Sequence, residues 1–325
     1  MTVTPEISVI LILYRDFDEI RASIRHLQAQ TIVDQVELLI VTTKTIAAQI
    51  DHAMLDAFGA HQIITLDEME YVGQAFAAAF QAARAPYVAM AEDHCLVEPE
   101  WAAAFVRAHQ SGRYAVVAPA MEIGNPETAI SRANFLICFL EWFAPDHGHI
   151  IHAGPGHNSC YHKQIITEAF TDLDAVFTME YAYQRALAAR GEQIYIEPGA
   201  RILHWTNSTM PAFTGHAFHG GRVYGASRVI AEHWGWGKRI GFSLASPLIP
   251  IVRLQRIIAH LDTPEKRRAV KLVRSMPHIV WGLVFHTAGE VIGYLAGEGD
   301  SIEESAKFEF RRRDFVRPSE RVLLQ

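Results

Sequence analysis

The sequence predicts an α/β protein built on a doubly wound, mostly parallel sheet and followed by a helical C-terminal extension. Over the first 120 residues, short apolar runs of strand length alternate with segments of helical periodicity, and the connections between them are short. From about residue 238 onwards the alternation stops, and long apolar segments replace it. Strands that alternate with helices through short connections are typical of a parallel sheet with helices on both faces.

The first part of the chain supplies the predicted sheet. It begins with the apolar run at residues 7–13, which is typical of a fully buried strand. Asp18 is placed to cap the next helix, in which apolar residues recur at helical spacing. Further strands are predicted at 36–41, 61–66, 87–91 and 114–119, and helices at 18–30, 46–58, 72–84 and 100–110. Because ligands bind at the carboxyl ends of strands in such sheets, the turn after the fourth strand is the first candidate for a site.

The alternation weakens in the middle of the chain. Helices are predicted at 130–143, 163–171 and 180–190, and strands at 158–161, 193–197 and 200–203. Segment 206–222 is rich in small, polar and histidine residues, which indicates a mobile loop. Two apolar segments, 240–261 and 276–297, then flank a basic stretch. We therefore predict an α/β domain over residues 1–237 and a basic, apolar helical extension over residues 238–325.

Charge is distributed unevenly along the chain. The net charge is −7, but residues 1–237 carry −12 and residues 238–325 carry +5. The acidic part is unsuited to nucleic acid, because such affinity depends largely on attraction between phosphates and basic side chains. The basic part is suited to an anionic lipid surface.

The expected compartment is the cytoplasm. Cys95, Cys138 and Cys160 are far apart in the sequence and odd in number, so they predict neither a disulfide framework nor a zinc knuckle. The N-terminus lacks the basic region of a signal peptide. Both observations favour a reducing, cytoplasmic environment.

An acidic turn follows the fourth predicted strand, where Glu92, Asp93 and His94 stand side by side. Two carboxylates and an imidazole this close would repel one another and desolvate poorly unless a ligand is bound. A divalent cation resolves the conflict, because carboxylate oxygens suit Mg²⁺ or Mn²⁺ and Mn²⁺ also tolerates imidazole. Such an ion would neutralise a departing diphosphate. The alternative is an exposed acidic turn that caps the helix beginning at Pro99 and Glu100.

Three segments, in this order along the chain, carry a family resemblance: ISVILILYRDFDEIRASIRHLQAQT, VGQAFAAAFQAARAPYVAMAEDHC and TMEYAYQRALAARGEQIYIEPGARILH. The first resembles the opening strand, turn and helix of the family 2 glycosyltransferases. The second resembles the helix and strand that lead to their Asp-x-Asp metal motif, and the third resembles the segment from their acidic base to a late histidine. The resemblance covers about residues 7–205. It implies a GT-A fold, a nucleotide-diphosphosugar as donor substrate and a divalent metal, Mn²⁺ or Mg²⁺, as cofactor.

Carried over position by position, the resemblance assigns roles to individual residues. Glu92 and His94 stand where the two aspartates of the metal motif usually are, with Asp93 between them. Glu180 falls near the acidic residue that serves as catalytic base. His204 matches the late histidine that completes the metal site in some members.

The residues predicted to bind the nucleotide are Tyr14, Asp16, Thr42, Glu92 and Asp93. Tyr14 and Asp16 directly follow the first strand, at the end of the sheet where the topology places the nucleotide. Thr42 ends the second strand, where the family usually offers one or two aspartates to the base and ribose. A second departure is His94, which replaces a carboxylate of the metal motif and leaves metal dependence and metal choice open.

Reasoning from the residues alone leaves alternatives for several of these roles. An inverting transfer needs one carboxylate as base and one charge clamp for the diphosphate. Glu180 begins a predicted helix whose macrodipole favours the ionised carboxylate, but a glutamate that only stabilises the helix is the alternative. His204 ends an apolar strand, where a hydrogen-bonded packing histidine is the alternative to a ligand. The segment GPGHNS at residues 154–159 resembles the family's Gly-x-Asn loop near sugar and acceptor, and a plain turn is the alternative.

The C-terminal extension combines apolar segments with clustered basic residues. Segment 276–297 is long enough to span a bilayer, but Glu290, two histidines and four glycines weaken that interpretation. An interfacial or re-entrant helix pair on an anionic membrane is favoured, and a hydrophobic dimer interface is the alternative. The basic residues expected at the lipid head groups are Lys266, Arg267, Arg268, Lys271 and Arg274.

The sequence thus predicts a glycosyltransferase, inverting, that moves a sugar to a cell-envelope glycan or lipid-linked acceptor on the inner face of the membrane. A catalytically silent member that acts as a binding or assembly subunit is the alternative, motivated by Thr42 and His94. A nucleotidyltransferase is disfavoured, because no glycine-rich basic loop follows the first strand.

Overall fold

The structure, a computed structural model, describes residues 4–324. Its strands are β1 Ile7–Ile12, β2 Val36–Thr43, β3 Ala60–Leu66, β4 Tyr87–Ala91, β5 Cys95–Val97, β6 Val116–Ile123, β7 His149–Ile151, β8 Cys160–His162 and β9 Ile194–His204. Its helices are α1 Asp18–Gln28, α2 Lys44–Ala47, α3 Val72–Ala82, α4 Trp101–Ser111, α5 Ala129–Cys138, α6 Lys163–Ala169, α7 Leu173–Thr178, α8 Glu180–Ala189, α9 Met210–Ala231, α10 Trp236–Ala245, α11 Ile249–His260, α12 Pro264–Ala269, α13 Leu272–Ala296, α14 Ser301–Phe310 and α15 Arg312–Phe315.

The chain forms two compact units. The first comprises the residues up to Glu122, the segment Trp142–His204 and the residues from Val322 onwards. The second comprises Ile123–Glu141 and Trp205–Arg321, and so contains α5 and all helices from α9 to α15. These units group the chain differently from the predicted domains, whose boundary at residue 237 stays a prediction.

The first unit is built on one mixed sheet. Its strand order is β3-β2-β1-β4-β8-β6-β9-β5, and β7 pairs with β9. The four strands β3, β2, β1 and β4 are parallel to one another, whereas β8 runs antiparallel to β4 and β6, and both β5 and β7 run antiparallel to β9. The predicted fold class, an α/β sheet with a helical C-terminal region, is confirmed. The carboxyl ends of β1, β2 and β4 lie at one edge, which is where ligands bind in such sheets.

Two local predictions in this unit were wrong. Residues 46–58 do not form one helix: α2 ends at Ala47, and a single 3-10 turn follows at His52–Leu55. Leu55 and Phe58 are nevertheless buried, so tertiary packing is satisfied without a regular helix. The two strands expected at 193–197 and 200–203 are one strand, β9, that continues through Pro198 and Gly199.

The segment expected to be a mobile loop is instead helical. Residues 210–222 form the first half of α9, the 22-residue helix of the second unit. Its buried residues include Ala212, Ala217 and Gly221, and Gly221 lies against the backbone of α13. The small residues that suggest a loop in the sequence therefore serve close helix packing.

Helices α9 and α13 touch through their backbones at four glycines. A Cβ atom built at Gly221 or Gly225 of α9 would overlap the carbonyl oxygens of His286 and Glu290 on α13. Conversely, a Cβ atom built at Gly289 or Gly293 of α13 would overlap carbonyl oxygens of α9. Each helix thus presents two glycines four residues apart, the spacing that lets helix backbones approach closely.

We expect the paired substitutions Gly221→Ala and Gly220→Ala to have opposite effects on stability. At Gly221 the new methyl group would meet backbone that cannot yield, so the free energy of unfolding should fall by about 1–3 kcal/mol. At Gly220 no atom of the described residues, apart from the chain neighbours and the backbone of the same helix, lies within 4 Å of the new Cβ position. There the better helix propensity of alanine should raise the free energy of unfolding by about 0.5–1 kcal/mol. Urea unfolding of both variants checks this, and equal effects would contradict the glycine contact.

Glu290, which the sequence places in an apolar segment, is buried in α13 and paired. The Tyr294 hydroxyl donates to its carboxylate at 2.5 Å, His286 Nδ1 lies 3.0 Å away, and an Arg253 nitrogen lies 3.8 Å away. Burial would raise the pKa of Glu290, but the hydrogen bonds and the nearby positive charge hold it below its ordinary value. These partners make a buried carboxylate tolerable in the second unit.

Candidate active site

The acidic turn predicted from the sequence lies between β4 and β5. The Cys95 backbone N–H donates to the Glu92 carbonyl oxygen at 3.1 Å and closes the turn. The Ser23 hydroxyl of α1 lies 3.2 Å from the carbonyl oxygens of both Glu92 and Asp93. The turn is therefore fixed from two sides, at the carboxyl end of β4.

Strand pairing carries His204 to this turn. Cys95, the first residue of β5, pairs with His204, the last residue of β9. The rings of His94 and His204 consequently meet edge to face, with centroids 5.0 Å apart. Both imidazoles are buried.

The Glu92 carboxylate is surrounded by three histidines and an asparagine. His94 Nε2 and His204 Nε2 each lie 3.5 Å from its Oε2 atom, and Asn158 Nδ2 donates to the same oxygen at 2.5 Å. His157 Nδ1 lies 3.2 Å from Oε1. Burial would raise the pKa of Glu92, but the charge of His94 and hydrogen bonds from His157 and His204 hold it well below its ordinary value. Glu92 is thus an anion held among imidazoles.

The donor atoms around Glu92 fit a divalent transition metal. Glu92, His94, Cys95 and His204 each offer one ligand atom, and these atoms all lie within 4.8 Å of one another. Asp93 Oδ1 lies 2.7 Å from His94 Nδ1, which turns the Nε2 atom of that ring towards Glu92. Two nitrogens and a sulfur beside one carboxylate suit Mn²⁺, Zn²⁺ or Co²⁺ better than Mg²⁺. Cys95 was not among the predicted ligands, because its position opposite His204 depends on strand register.

His157 connects the buried cluster to Glu180. Its Nδ1 atom faces Glu92 at 3.2 Å, and its Nε2 atom lies 3.7 Å from Glu180 Oε1. The ring packs against Phe76 of α3, with centroids 5.2 Å apart. The next residue, Asn158, has a φ of 67°, a left-handed conformation that asparagine tolerates. Neither residue was among the predicted site residues; the signal for both was the resemblance of residues 154–159 to the Gly-x-Asn loop.

Glu180 is the first residue of α8, and 42% of its side chain is exposed. Helix α8 is tied to the loop at residues 154–159, because Gln184 Nε2 donates to the Gly154 carbonyl oxygen at 2.6 Å. The buried hydroxyls of Tyr183, on α8, and Tyr161, on β8, lie 3.0 Å apart. Gly156 lies against the Glu180 carboxylate, where a Cβ atom would overlap it. The candidate base is therefore positioned yet accessible to an incoming hydroxyl.

The other predicted site residues occupy the same edge of the sheet. Tyr14 is half-buried and Asp16 exposed, directly after β1. Buried Glu19 of α1 has a raised pKa, chiefly through burial and in part through the negative charges of Asp93 and Asp16. Asp16 lies two residues before the start of α1, and the Ser23 hydroxyl of α1 lies 3.2 Å from the Asp93 carbonyl oxygen. Their nucleotide contacts stay predictions.

Thr42 is fully buried at the end of β2, and its hydroxyl donates to the Leu13 carbonyl oxygen at 2.8 Å. The hydroxyl therefore joins β2 to the chain just beyond β1. A contact between Thr42 and a nucleotide stays a prediction.

The sheet, its helices and the polar cluster at its edge define a protein of the GT-A nucleotide-sugar transferase type. The sequence model of Glycosyl transferase family 2 matches residues 8–170, half of the chain, and the chain belongs to that family. The predicted family is confirmed, and with it glycosyl transfer as the class of activity.

Two solved structures are similar to this chain. The mannosyltransferase PcManGT from Pyrobaculum calidifontis, in complex with GDP-Man and Mn²⁺, superimposes with a TM-score of 0.54 and 12% identity, covering 91% of this chain and 88% of that one. GalNAc-T7 with UDP, GalNAc and Mn²⁺ gives a TM-score of 0.48 and 12% identity over 63% of this chain, which spans 45% of the GalNAc-T7 chain. A search of curated protein sequences finds no match. The likeness to PcManGT confirms the predicted GT-A fold.

Proposed function

We propose that this protein transfers a sugar, with inversion, from a nucleotide-diphosphate donor to a hydroxyl of a cell-envelope glycan or lipid-linked acceptor. The observation that carries the proposal is the series Glu92, His157 and Glu180, in which one histidine lies 3.2 Å from a buried carboxylate and 3.7 Å from an exposed one. Inverting transfer requires a charge clamp for the leaving diphosphate and a base for the acceptor. The buried cluster and the exposed carboxylate are suited to these two tasks.

The buried cluster serves the leaving group. Glu92, His94 and His204 would hold a divalent metal, with Cys95 beside them, and the metal would supply positive charge to the diphosphate. Asp93 orients the His94 ring, and Asn158 fixes the Glu92 carboxylate by donating to it. These hydrogen bonds keep the ligand atoms in place before the donor arrives.

Glu180 serves the acceptor. Its carboxylate takes the proton from the acceptor hydroxyl as the hydroxyl oxygen bonds to the anomeric carbon and the bond to the diphosphate breaks. Exposure of 42% leaves the carboxylate open to an incoming glycan or lipid-linked sugar. The lack of a side chain at Gly156 leaves room for the carboxylate in this position.

Nucleotide recognition is assigned to the residues at the ends of β1, β2 and β4: Tyr14, Asp16, Thr42, Glu92 and Asp93. The second strand ends in threonines rather than aspartates. The end of β2 therefore offers no carboxylate to the base and ribose.

We place the protein on the cytoplasmic face of an anionic membrane. Two helices, Trp236–His260 and Leu272–Ala296, are long and apolar enough to cross a bilayer, judged by length and composition only. The positive charge of residues 238–325 favours an anionic lipid surface. A lipid-linked acceptor would be presented at such a surface.

Incubation of the pure protein with UDP-, GDP- and TDP-sugars, with and without Mn²⁺, tests the proposed function. We expect one class of donor to bind and to be hydrolysed slowly in the absence of acceptor, with Mn²⁺ strengthening both effects. Failure of every donor to bind or react would contradict the proposal. Retention of the anomeric configuration in the product would contradict the inverting mechanism but not sugar transfer itself.

A further inference from the structure

Helices α10 and α11 leave most of their apolar surface uncovered. Only 6% of the apolar window in Trp236–His260 is buried, against 44% in Leu272–Ala296. Fourteen of the nineteen large apolar side chains exposed in the described residues belong to α10, α11, α13 and the turn after α10. Those in the segment from α10 to α11 are Trp236, Ile240, Phe242, Leu244, Leu248, Ile251, Val252 and Ile258. Exposed apolar surface of this extent on one group of helices indicates an interaction site.

Helix α13 has an inner face and an outer face. The inner face contacts α9 through Gly289 and Gly293. The outer face repeats exposed apolar residues at helical spacing, with Val280 and Val284 one turn apart and Leu295 about three turns further on. The outer stripe of α13 therefore adds to the uncovered surface of the same unit.

The charges around this surface are predominantly positive. Nine basic residues and three acidic residues lie between residues 236 and 296, but Arg253 and Glu290 are paired with each other inside the unit. Two acidic residues remain, against eight basic ones: Lys238, Arg239, Arg256, Lys266, Arg267, Arg268, Lys271 and Arg274. Apolar residues bordered by lysines and arginines complement a bilayer with anionic head groups, whereas two copies of this surface would repel each other.

The internal contacts of the second unit argue against a helix pair that crosses the bilayer. The connection from α11 to α13 contains α12 and carries clustered basic residues, which would have to pass through the hydrocarbon. The start of α13 is held by the protein itself, because Arg132 Nε of α5 donates to the Ser275 hydroxyl at 3.0 Å in a buried contact. Arg253 also donates to the Ile137 carbonyl oxygen of α5 at 3.1 Å. The segment from α11 to the start of α13 is held to α5 at both Arg253 and Ser275. Such a segment is suited to lie on a membrane rather than to span it.

We infer that the second unit docks flat on an anionic lipid bilayer through α10, α11 and the outer face of α13, with the basic residues of α12 among the head groups. In this arrangement the apolar side chains reach the boundary between head groups and acyl chains, and neither helix crosses the bilayer. This docking surface would hold the protein at the membrane, as the proposed function requires, and its biological purpose rests on that proposed function.

Co-sedimentation of the full chain with lipid vesicles tests the docking surface. We expect binding to vesicles of phosphatidylglycerol and phosphatidylcholine, weakening as salt is raised, and little binding to phosphatidylcholine alone. The double variant Leu244→Glu/Leu248→Glu should bind about tenfold or more weakly, because both side chains are largely exposed. The charge variant Arg267→Glu/Arg268→Glu should weaken binding and its salt dependence.

Leu323→Glu is the matched control, because Leu323 is 63% exposed, as Leu248 is 61%, but lies outside the second unit. It should bind vesicles like the unchanged protein. Tryptophan emission should shift to the blue on binding and be quenched by lipids brominated along the acyl chain, and Trp236→Phe should remove part of that signal. Circular dichroism checks that every variant is folded.

Three outcomes would overturn the inference: equal vesicle binding by all variants, a dimer in light scattering that Leu244→Glu/Leu248→Glu dissociates, or membrane association that resists alkaline carbonate. The assay contains no donor or acceptor, and Glu180→Gln should bind vesicles normally. Failure of docking is therefore distinguishable from failure of the proposed transfer reaction.

Discussion

Replacement of Glu180 by glutamine is expected to lower the rate of sugar transfer by about 10²–10⁴-fold, the usual contribution of a general base. The amide keeps the size of the side chain but cannot accept the acceptor proton. The buried cluster at Glu92 is unchanged, so the dissociation constant of the nucleotide donor should stay within about twofold, since donor binding is separate from proton removal. Single-turnover transfer and calorimetric titration of the donor measure the two quantities separately.

Glu168→Gln is the control for this experiment. Glu168 is an exposed glutamate on α6 whose carboxylate accepts from Gln164 within the same helix. Its amide variant should transfer sugar at the unchanged rate. Undiminished transfer by Glu180→Gln would contradict the assignment of the base, and donor binding without transfer in the unchanged protein would favour the silent assembly subunit.

A second pair of variants moves the Glu180 carboxylate without altering its chemistry. A methyl group at Gly156 would overlap the end of the Glu180 side chain, which can move aside at little cost to stability. At Gly154 the nearest atom is 3.4 Å from the new Cβ position, an ordinary contact. Gly156→Ala should therefore slow transfer and Gly154→Ala should not, with both proteins unfolding at similar urea concentrations.

The parts of the site set by local sequence were predictable. The apolar run of β4 ends at Ala91, so Glu92 had to lie at the carboxyl end of a buried strand. Helical periodicity and the following glycine likewise fixed α8, whose first residue is Glu180. Such assignments need only the alternation of strand and helix and the rule that ligands bind at strand ends.

The parts of the site set by strand register were not predictable from the residues. Cys95 lies in the cluster because it pairs with His204, more than a hundred positions away in the sequence. His157 reaches both carboxylates because an irregular loop turns its ring between them. Neither periodicity nor composition encodes these long-range contacts, and only the family resemblance placed His204 at the turn.

The second unit shows how composition misleads when packing decides the structure. The segment at residues 206–222 has the small and polar residues of a loop, yet most of it belongs to α9, where Gly221 lies against the backbone of α13. A glycine in an isolated helix lowers the stability of that helix. Close packing between two helix backbones, which only glycine allows here, offsets this loss of stability. The spacing of Gly221 and Gly225 was the signal in the sequence that a helix interface, rather than a loop, was present.

Removal of a ligand from the buried cluster is expected to weaken binding of Mn²⁺ or Co²⁺ by about 100-fold or more, since loss of even an outer hydrogen-bond partner costs about 10–100-fold. Glu92→Gln removes the only carboxylate among the four clustered donors of the described chain. His204→Gln is the companion variant, because it leaves Glu92 intact. Titration of the metal into the protein without donor, followed by the Mn²⁺ resonance signal or by Co²⁺ absorption, measures the affinity.

The absorption of bound Co²⁺ also identifies the ligands. A thiolate ligand gives an intense charge-transfer band, so Cys95→Ser should abolish that band while Co²⁺ still binds through Glu92, His94 and His204. The exposed His152 lies outside the cluster, and His152→Asn should leave affinity and spectrum unchanged. Mg²⁺ should compete poorly, because nitrogen and sulfur donors outnumber the single carboxylate. If Glu92→Gln and the unchanged protein bound Mn²⁺ with equal affinity, Glu92 would not be a metal ligand. The surrounding imidazoles alone would then stabilise the buried Glu92 carboxylate.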